Sequence, residues 1–264
     1  MKKPSLLLLF LCLSIVASAQ NACAFIEKVN QYQDSVKLNY GQETITIDST
    51  TFDIDTYMSF FESLILPNGR KCHCTYIDNL LDGAPILFIE SDSFNLEDYI
   101  DRLLEGKRFQ NEQKRKAFIA ESRYEFVTSA TRRAQNNVIP TDSPEGYLQY
   151  LLFSEMGEQF ALHWHSNYFE KYVLCSTENI QSFIERYSDN DMFYCSSEDL
   201  EIIKGLDPIP IIEINPKECS ITWIEVETHN GVYKRTYSIS RRKPYNYVKI
   251  YEIPIASINI GFIY

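Results

Sequence analysis

Apolar residues along this chain recur at two spacings, every three or four positions in some stretches and every second position in others. The switches between them mark out the elements. Ile54, Tyr57, Met58, Phe61 and Leu64 fall at helical spacing over Asp53 to Leu66, and Pro67-Asn68-Gly69 stops the run. Strands are expected at Lys71–Ile77 and Pro85–Glu90, separated by the turn-rich segment 78–83. Ser93 or Asn95 then caps a helix to about Glu105. Past a charged segment from Lys107 to Lys116, Ile119, Phe126, Ala130 and Ala134 lay one apolar stripe along a long helix to Arg133. Ser143-Pro144-Glu145 joins a capping serine to a proline in the first turn, so a helix runs from there to Met156 and ends at Gly157. Strands at Gln159–His165 and Lys171–Cys175 and a helix at Thr177–Tyr187 complete the middle.

The C-terminal third has the clearest local signal. Asn230-Gly231 separates two strand-like runs, Glu218–His229 and Val232–Arg241, as a two-residue hairpin turn would. That register sets Glu227 opposite Lys234 and puts Ile224, Val226, Tyr237 and Ile239 on one face. Strands at Tyr247–Ile253 and Ile258–Tyr264 extend the hairpin into a meander. Asn95–Arg102 also aligns with Asn179–Arg186, and at the same offset Phe109 falls on Phe193, which suggests an internal duplication of a helix–strand–strand–helix unit. The expected class is α+β, with helices packed on antiparallel sheet. The expected divisions are a leader at 1–19, an N-terminal α+β region at 20–136, and a C-terminal α+β region at 137–264 ending in sheet.

The leader is read from Met1-Lys2-Lys3, the apolar run Leu6–Val16 and the small residues Ala17-Ser18-Ala19. This is the pattern of a secretory signal peptide cleaved after Ala19, which places the protein in the periplasm or outside the cell. No other apolar stretch approaches the roughly 18–20 residues that a membrane span needs. The net charge of −11 repels phosphate backbones and offers no polybasic attraction to anionic lipid, so nucleic acid is not expected as a partner. Cleavage leaves Cys23, Cys72, Cys74, Cys175, Cys195 and Cys219. Cys175 and Cys195 flank one predicted helix and are the disulfide candidates, closing a loop of about twenty residues worth about 3 kcal/mol.

Familiar catalytic signatures are missing. Nine isolated glycines leave no phosphate-cradling loop or dinucleotide fingerprint, because both need backbone amides uncovered by side chains. No G-x-S-x-G elbow and no H-E-x-x-H pair occurs, so neither cofactor nor metal is expected. His163-Trp164-His165 is the first chemical candidate, since alternate residues of a strand face one side and both imidazoles would share a cavity. Metal binding there needs further ligands, with Glu155 and Glu158 as the only suggestions, and the plain alternative is a wet strand face with Trp164 turned inward. In Cys72-His73-Cys74 the histidine lies opposite both sulfurs, so disulfides or inert thiols compete with soft-metal binding. The acid pairs Glu121/Glu125 and Glu225/Glu227 have a spacing that suits glycoside hydrolysis or simply a solvated surface. Trp223, with Tyr233, Tyr237, Tyr245, Tyr247 and Tyr251, makes either a recognition surface or the core of the meander. His163, His165, Trp223 and Tyr237 are the binding candidates.

The segment Phe94…Tyr99-Ile100…Leu103…Gly106…Phe109-Gln110, echoed by Phe183-Ile184…Tyr187…Phe193, resembles part of uncharacterised secreted bacterial proteins with a fold like nuclear transport factor two. In those a helix of this kind packs against a curved antiparallel sheet. The resemblance implies a fold shared by enzymes and binding modules, so it names no activity. The functional expectation is a secreted cell-envelope protein that binds an unknown protein or glycan partner without catalysis. The alternative is a hydrolase or metal-dependent enzyme centred on His163 and His165.

Overall fold

The computed structural model describes residues 6–37, 52–77, 84–160, 170–188, 193–228 and 230–260. It is α+β, with antiparallel sheets and a C-terminal meander. The chain forms two compact units. One gathers Met1–Gln31, Asp142–Leu151 and Tyr168–Tyr264, and the other Tyr32–Thr141 and Leu152–Asn167. The units are not continuous in sequence: one break falls after Thr141, the first thirty-one residues group with the C-terminal sheet, and Leu152–Asn167 groups with the other unit.

In the sheet unit, β8 (Glu218–Glu227) is central. On one side it pairs along its length with β9 (Gly231–Ser240), which in turn carries β10 (Tyr247–Ala256). Its other side is shared by β5 (Lys171–Leu174) and β7 (Ile211–Ile214), all antiparallel. Helix α1 (Leu6–Lys37) supplies Cys23, which is bonded to Cys175 just after β5, with Cα atoms 5.3 Å apart. The pairing of Cys175 with Cys195 is therefore corrected. Cys195 sits on β6 (Phe193–Cys195) opposite Ile258 of β11 (Ile258–Ile260) and packs as a free thiol against an apolar cluster. That cluster joins Leu174, Ile224, Val226 and Val232 to helices α7 (Thr177–Ser188) and α8 (Ser197–Lys204) through Ile180, Phe183, Ile184 and Ile203. Because β11 is claimed by β6, the last strand does not extend the meander as expected.

The hairpin register also differs from the two-residue turn. Glu227 pairs with Gly231, and Ile224 rather than Glu227 lies opposite Lys234. The slip is an odd number of residues, so Tyr237 and Ile239 share a face with Ile221 and Cys219, while Ile224 and Val226 point the other way. Gly231 explains part of this. Its φ is +130°, and a Cβ there would lie 2.6 Å from the carbonyl oxygen of Ala256, so the end of β10 closes over a position only glycine fills.

In the second unit, β2 (Arg70–Ile77) and β3 (Ala84–Ser91) form a hairpin in the expected places. Helix α2 (Ile54–Met58) is shorter than its apolar spacing suggested, because Leu64–Ile65 (β1) pairs instead with Ile139–Pro140 (β4). Asn95 caps α3 (Leu96–Leu104) by accepting from the amides of Glu97 and Asp98 at 2.8 and 3.2 Å. Helix α4 (Glu112–Thr128) follows and stops short of Arg133, and a single turn, α5 (Ala134–Asn137), takes up the rest. Ser143 opens α6 (Pro144–Met156) by accepting from the amide of Gly146, as its sequence predicted. Tyr57 is fully buried. It donates to the carbonyl of Gly157 at 3.0 Å and accepts from Gln33 at 2.9 Å, and the rings of Phe52, Phe61 and Phe160 surround it. Of the suggested duplication, the described residues show a strand followed by a helix in each copy, β3 with α3 and β5 with α7, while most of the strand expected at Gln159–His165 lies outside them. Asn179 is not a cap like Asn95 but lies within α7, whose start is held by Ser176.

The disulfide assignment has a direct check. The chain cleaved after Ala19 should titrate four thiols when denatured without reductant, those of Cys72, Cys74, Cys195 and Cys219. Cys23→Ser should lower stability to urea by about 3–5 kcal/mol, as expected for opening so long a loop, whereas Cys195→Ser should change it by under about 1 kcal/mol.

Candidate functional site

The two faces of the sheet differ. On one face, Trp223 lies opposite Arg235, with Glu225 and Glu227 beyond it on the same side of β8. Glu225 has no access to solvent. One of its carboxylate oxygens accepts from the indole of Trp223 and the hydroxyl of Tyr237, both at 3.0 Å. The other accepts from Arg235, with the Lys171 ammonium at 3.7 Å. Arg235 also donates to Glu227 at 2.5 Å and to Glu252 at 2.7 Å, and it lies 4.5 Å from the centre of the Tyr233 ring. Burial raises the Glu227 pKa, but hydrogen bonds from Arg235 and Asn230 outweigh it and hold the carboxyl below its ordinary value. A hydrogen bond from Lys249, reinforced by Arg235, does the same for the more exposed Glu252. The acid pair Glu225/Glu227 thus shares a face as expected, but both carboxylates are committed to one arginine and neither is free for glycoside chemistry.

Trp223 and Tyr237 are 1% and 3% exposed, so these two candidates serve the core and the Glu225 carboxylate rather than an outer ligand. The half-buried Tyr247 extends this row, 6.1 Å from Tyr237 and 6.3 Å from Tyr150 of α6.

On the opposite face, α7 and α8 cover only the end around Ile224, Val226 and Val232. Beyond it a cross-strand row runs Ile211, Thr222, Thr236 and Tyr251 over four strands. The next row is Glu213, Ser220, Ser238 and Val248. Ile211, Val248 and Tyr251 are 51%, 58% and 57% exposed, and Ile253 is exposed as well. Between them the hydroxyls of Thr222 and Thr236 share a hydrogen bond of 2.9 Å. The surface is therefore a half-buried pair of threonine hydroxyls between exposed apolar borders, with Ser238 buried beside it and donating to Glu218 at 2.6 Å. The outer edge of β10 has no strand partner among the described residues, yet two register shifts and Pro254 interrupt it. Bulges and prolines of this kind discourage strand addition, so the side chains rather than the backbone edge are available for recognition.

The other candidates lie elsewhere or are engaged. His163 and His165 fall outside the described residues. Glu158, suggested as their metal co-ligand, accepts from the amide of Leu87 and pairs with Arg133, closing off the edge of β3. Burial raises its pKa, with Arg133 opposing. Cys72 and Cys74 are free thiols whose pKa values burial pushes up, which keeps them protonated. His73 projects to the other side as expected, stacked on Phe88 at 5.3 Å with Nε2 3.1 Å from the Ser91 carbonyl. Among the described residues one group has metal-ligand spacing, Cys23, Glu27 and Cys175, and its two sulfurs are bonded to each other. A cavity of about 120 Å³ between α1, α6 and β7, lined by Phe25, Leu148 and Ile212, is well below the roughly 300 Å³ of ordinary ligand pockets.

No protein-family model, curated protein or solved structure matches this chain. Among the described residues, no helix is long and apolar enough to cross a membrane.

Two outcomes test the buried cluster. Arg235→Met should cost about 3–5 kcal/mol, because it strands the Glu225 carboxylate away from water; urea unfolding measures it. The depressed pKa values of Glu227 and Glu252 contribute stability that is complete above their unfolded value of 4.5 and is lost as pH falls through the lower folded values. The urea midpoint of the native protein should therefore drop on acidification below about pH 4.5, and Arg235→Met should show a shallower drop.

Proposed function

We propose that this protein is a non-enzymatic binding module of the cell envelope, and that its partner docks on the open face of the sheet. The observation that carries this reading is the row in which exposed Ile211 and Tyr251 flank the half-buried Thr222 and Thr236, bordered by exposed Val248 and Ile253, on a sheet whose other face buries Ile221, Trp223, Tyr237 and Ile239. Val248, Tyr251 and Ile253 leave apolar side chains exposed together along one face of β10, and clustered exposed apolar surface marks an interaction site. Tyr251 suits recognition because its ring adds contact area with little loss of conformational freedom, and the neighbouring hydroxyls supply donors and acceptors. The buried acids, committed to Arg235, speak for structure rather than catalysis.

The location belongs to the same reading. The basic head, the apolar run and Ala17-Ser18-Ala19 support export with cleavage after Ala19. The Cys23–Cys175 bond supports an oxidising destination. Hydroxyl-radical labelling compares the purified protein with the protein in intact cells. Tyr251 and Val248 should label strongly when purified and be protected in cells, while the exposed Tyr124 of the other unit labels in both. Equal labelling of Tyr251 in the two samples would remove the open face as the docking surface. The mass of the recovered chain should begin at Gln20, and a chain retaining Met1 would end the export reading.

A further inference from the structure

A second surface lies in the other unit and does not depend on the reading above. From Glu105 to Ala117, the connection between α3 and α4 and the first turns of α4, every residue is exposed except the half-buried Phe109. Lys107, Arg108, Lys114, Arg115 and Lys116 face two carboxylates, Glu105 and Glu112, a local charge of +3 on a chain that carries −11 overall. Arg115 pairs with Glu112 at 3.2 Å, and Lys107 lies over the Phe118 ring at 4.9 Å. Arg108, Lys114 and Lys116 make no ion pair among the described residues. Other cations of this unit do meet carboxylates, Lys71 with Asp55, Arg123 with Glu97, Arg132 with Glu90 and Arg133 with Glu158.

Local stability does not explain the placement. Lys114, Arg115 and Lys116 occupy the opening turns of α4, where the helix's own partial positive charge opposes cations. Three consecutive residues at about 100° steps also spread their charges round the helix instead of lining a groove. A solvent-surrounded tip with charges pointing several ways cannot follow a thin anionic chain with all of them, but it can press several against a flat negative surface.

We propose that this tip docks electrostatically on anionic lipid headgroups. The chain's net negative charge hides the feature because it averages a cationic tip with an acidic remainder. Each cation near such a surface contributes about a fivefold gain in partitioning, so removing three should weaken it on the order of a hundredfold. The test sediments the chain beginning at Gln20 with phosphatidylcholine vesicles, with and without phosphatidylglycerol, at low and high salt. The expected result is binding to the anionic vesicles alone, lost at high salt and lost in R108Q/K114Q/K116Q. Glutamine keeps the helix propensity, so that variant should melt like the native protein. K114R/K116R should bind as the native protein does, which separates lost charge from a damaged helix. Equal binding to neutral vesicles, no binding to anionic ones, or undiminished binding by the glutamine variant would overturn the proposal. Charge-dependent retention on dextran sulfate without vesicle binding would overturn it too, and would identify a soluble polyanion instead.

Discussion

Arg235 fixes the sheet. Glu225 is held out of water, and an ionised carboxylate in that position is tolerable only if its partners are in place. Those partners come from both strands, with Trp223 on β8 and Tyr237 and Arg235 on β9. With Arg235 opposite Trp223, all four groups share one face. In the two-residue turn that Asn230-Gly231 invites, Arg235 would sit opposite Val226 and project to the other side, leaving Glu225 unpaired. A turn preference of a few tenths to about 1 kcal/mol does not compete with stranding a buried charge, which costs about 3–5 kcal/mol. The ion pair thus acts as a register device, and every residue's face in the C-terminal sheet follows from it.

What could be read beforehand was what is encoded locally. Ser143, and Asn95 of the two residues Ser93 and Asn95, announce their helices by side-chain caps, and both accept from first-turn amides. The β2–β3 hairpin follows its alternation residue by residue. The elements that differ are set by contacts distant in sequence. Helix α2 yields to the pairing of Leu64 with Pro140, β11 is taken by β6, and Cys175 finds a partner more than a hundred residues away. Composition could not foresee those choices, because each is a competition among partners of similar chemistry.

The open face illustrates the same limit. The sequence groups Tyr251 with the other tyrosines, but an odd-numbered slip in register exchanges the sides of β9. Only with Thr222 opposite Thr236 do Ile211 and Tyr251 join one exposed row. The same register removes Trp223 and Tyr237 from the list of recognition residues and makes them donors to a buried acid. Side-chain identity alone could not separate the two roles.

The disulfide carries a consequence for the order in which the chain is made. Cys23 is synthesised long before Cys175, and Cys72 and Cys74 emerge between them, so in an oxidising compartment the first thiols available to Cys23 are the wrong ones. The fold offers protection. Cys72 and Cys74 lie on a hairpin closed by sequence-local pairing, from Arg70 with Ser91 to Ile77 with Ala84, and such contacts form early. Cys72 is buried, and both thiols are held protonated by that burial. In the completed fold that burial suppresses both thiolates, so the two competitors are poor attackers of the Cys23–Cys175 bond, and the bond is guarded by the state of the free thiols as much as by its own geometry.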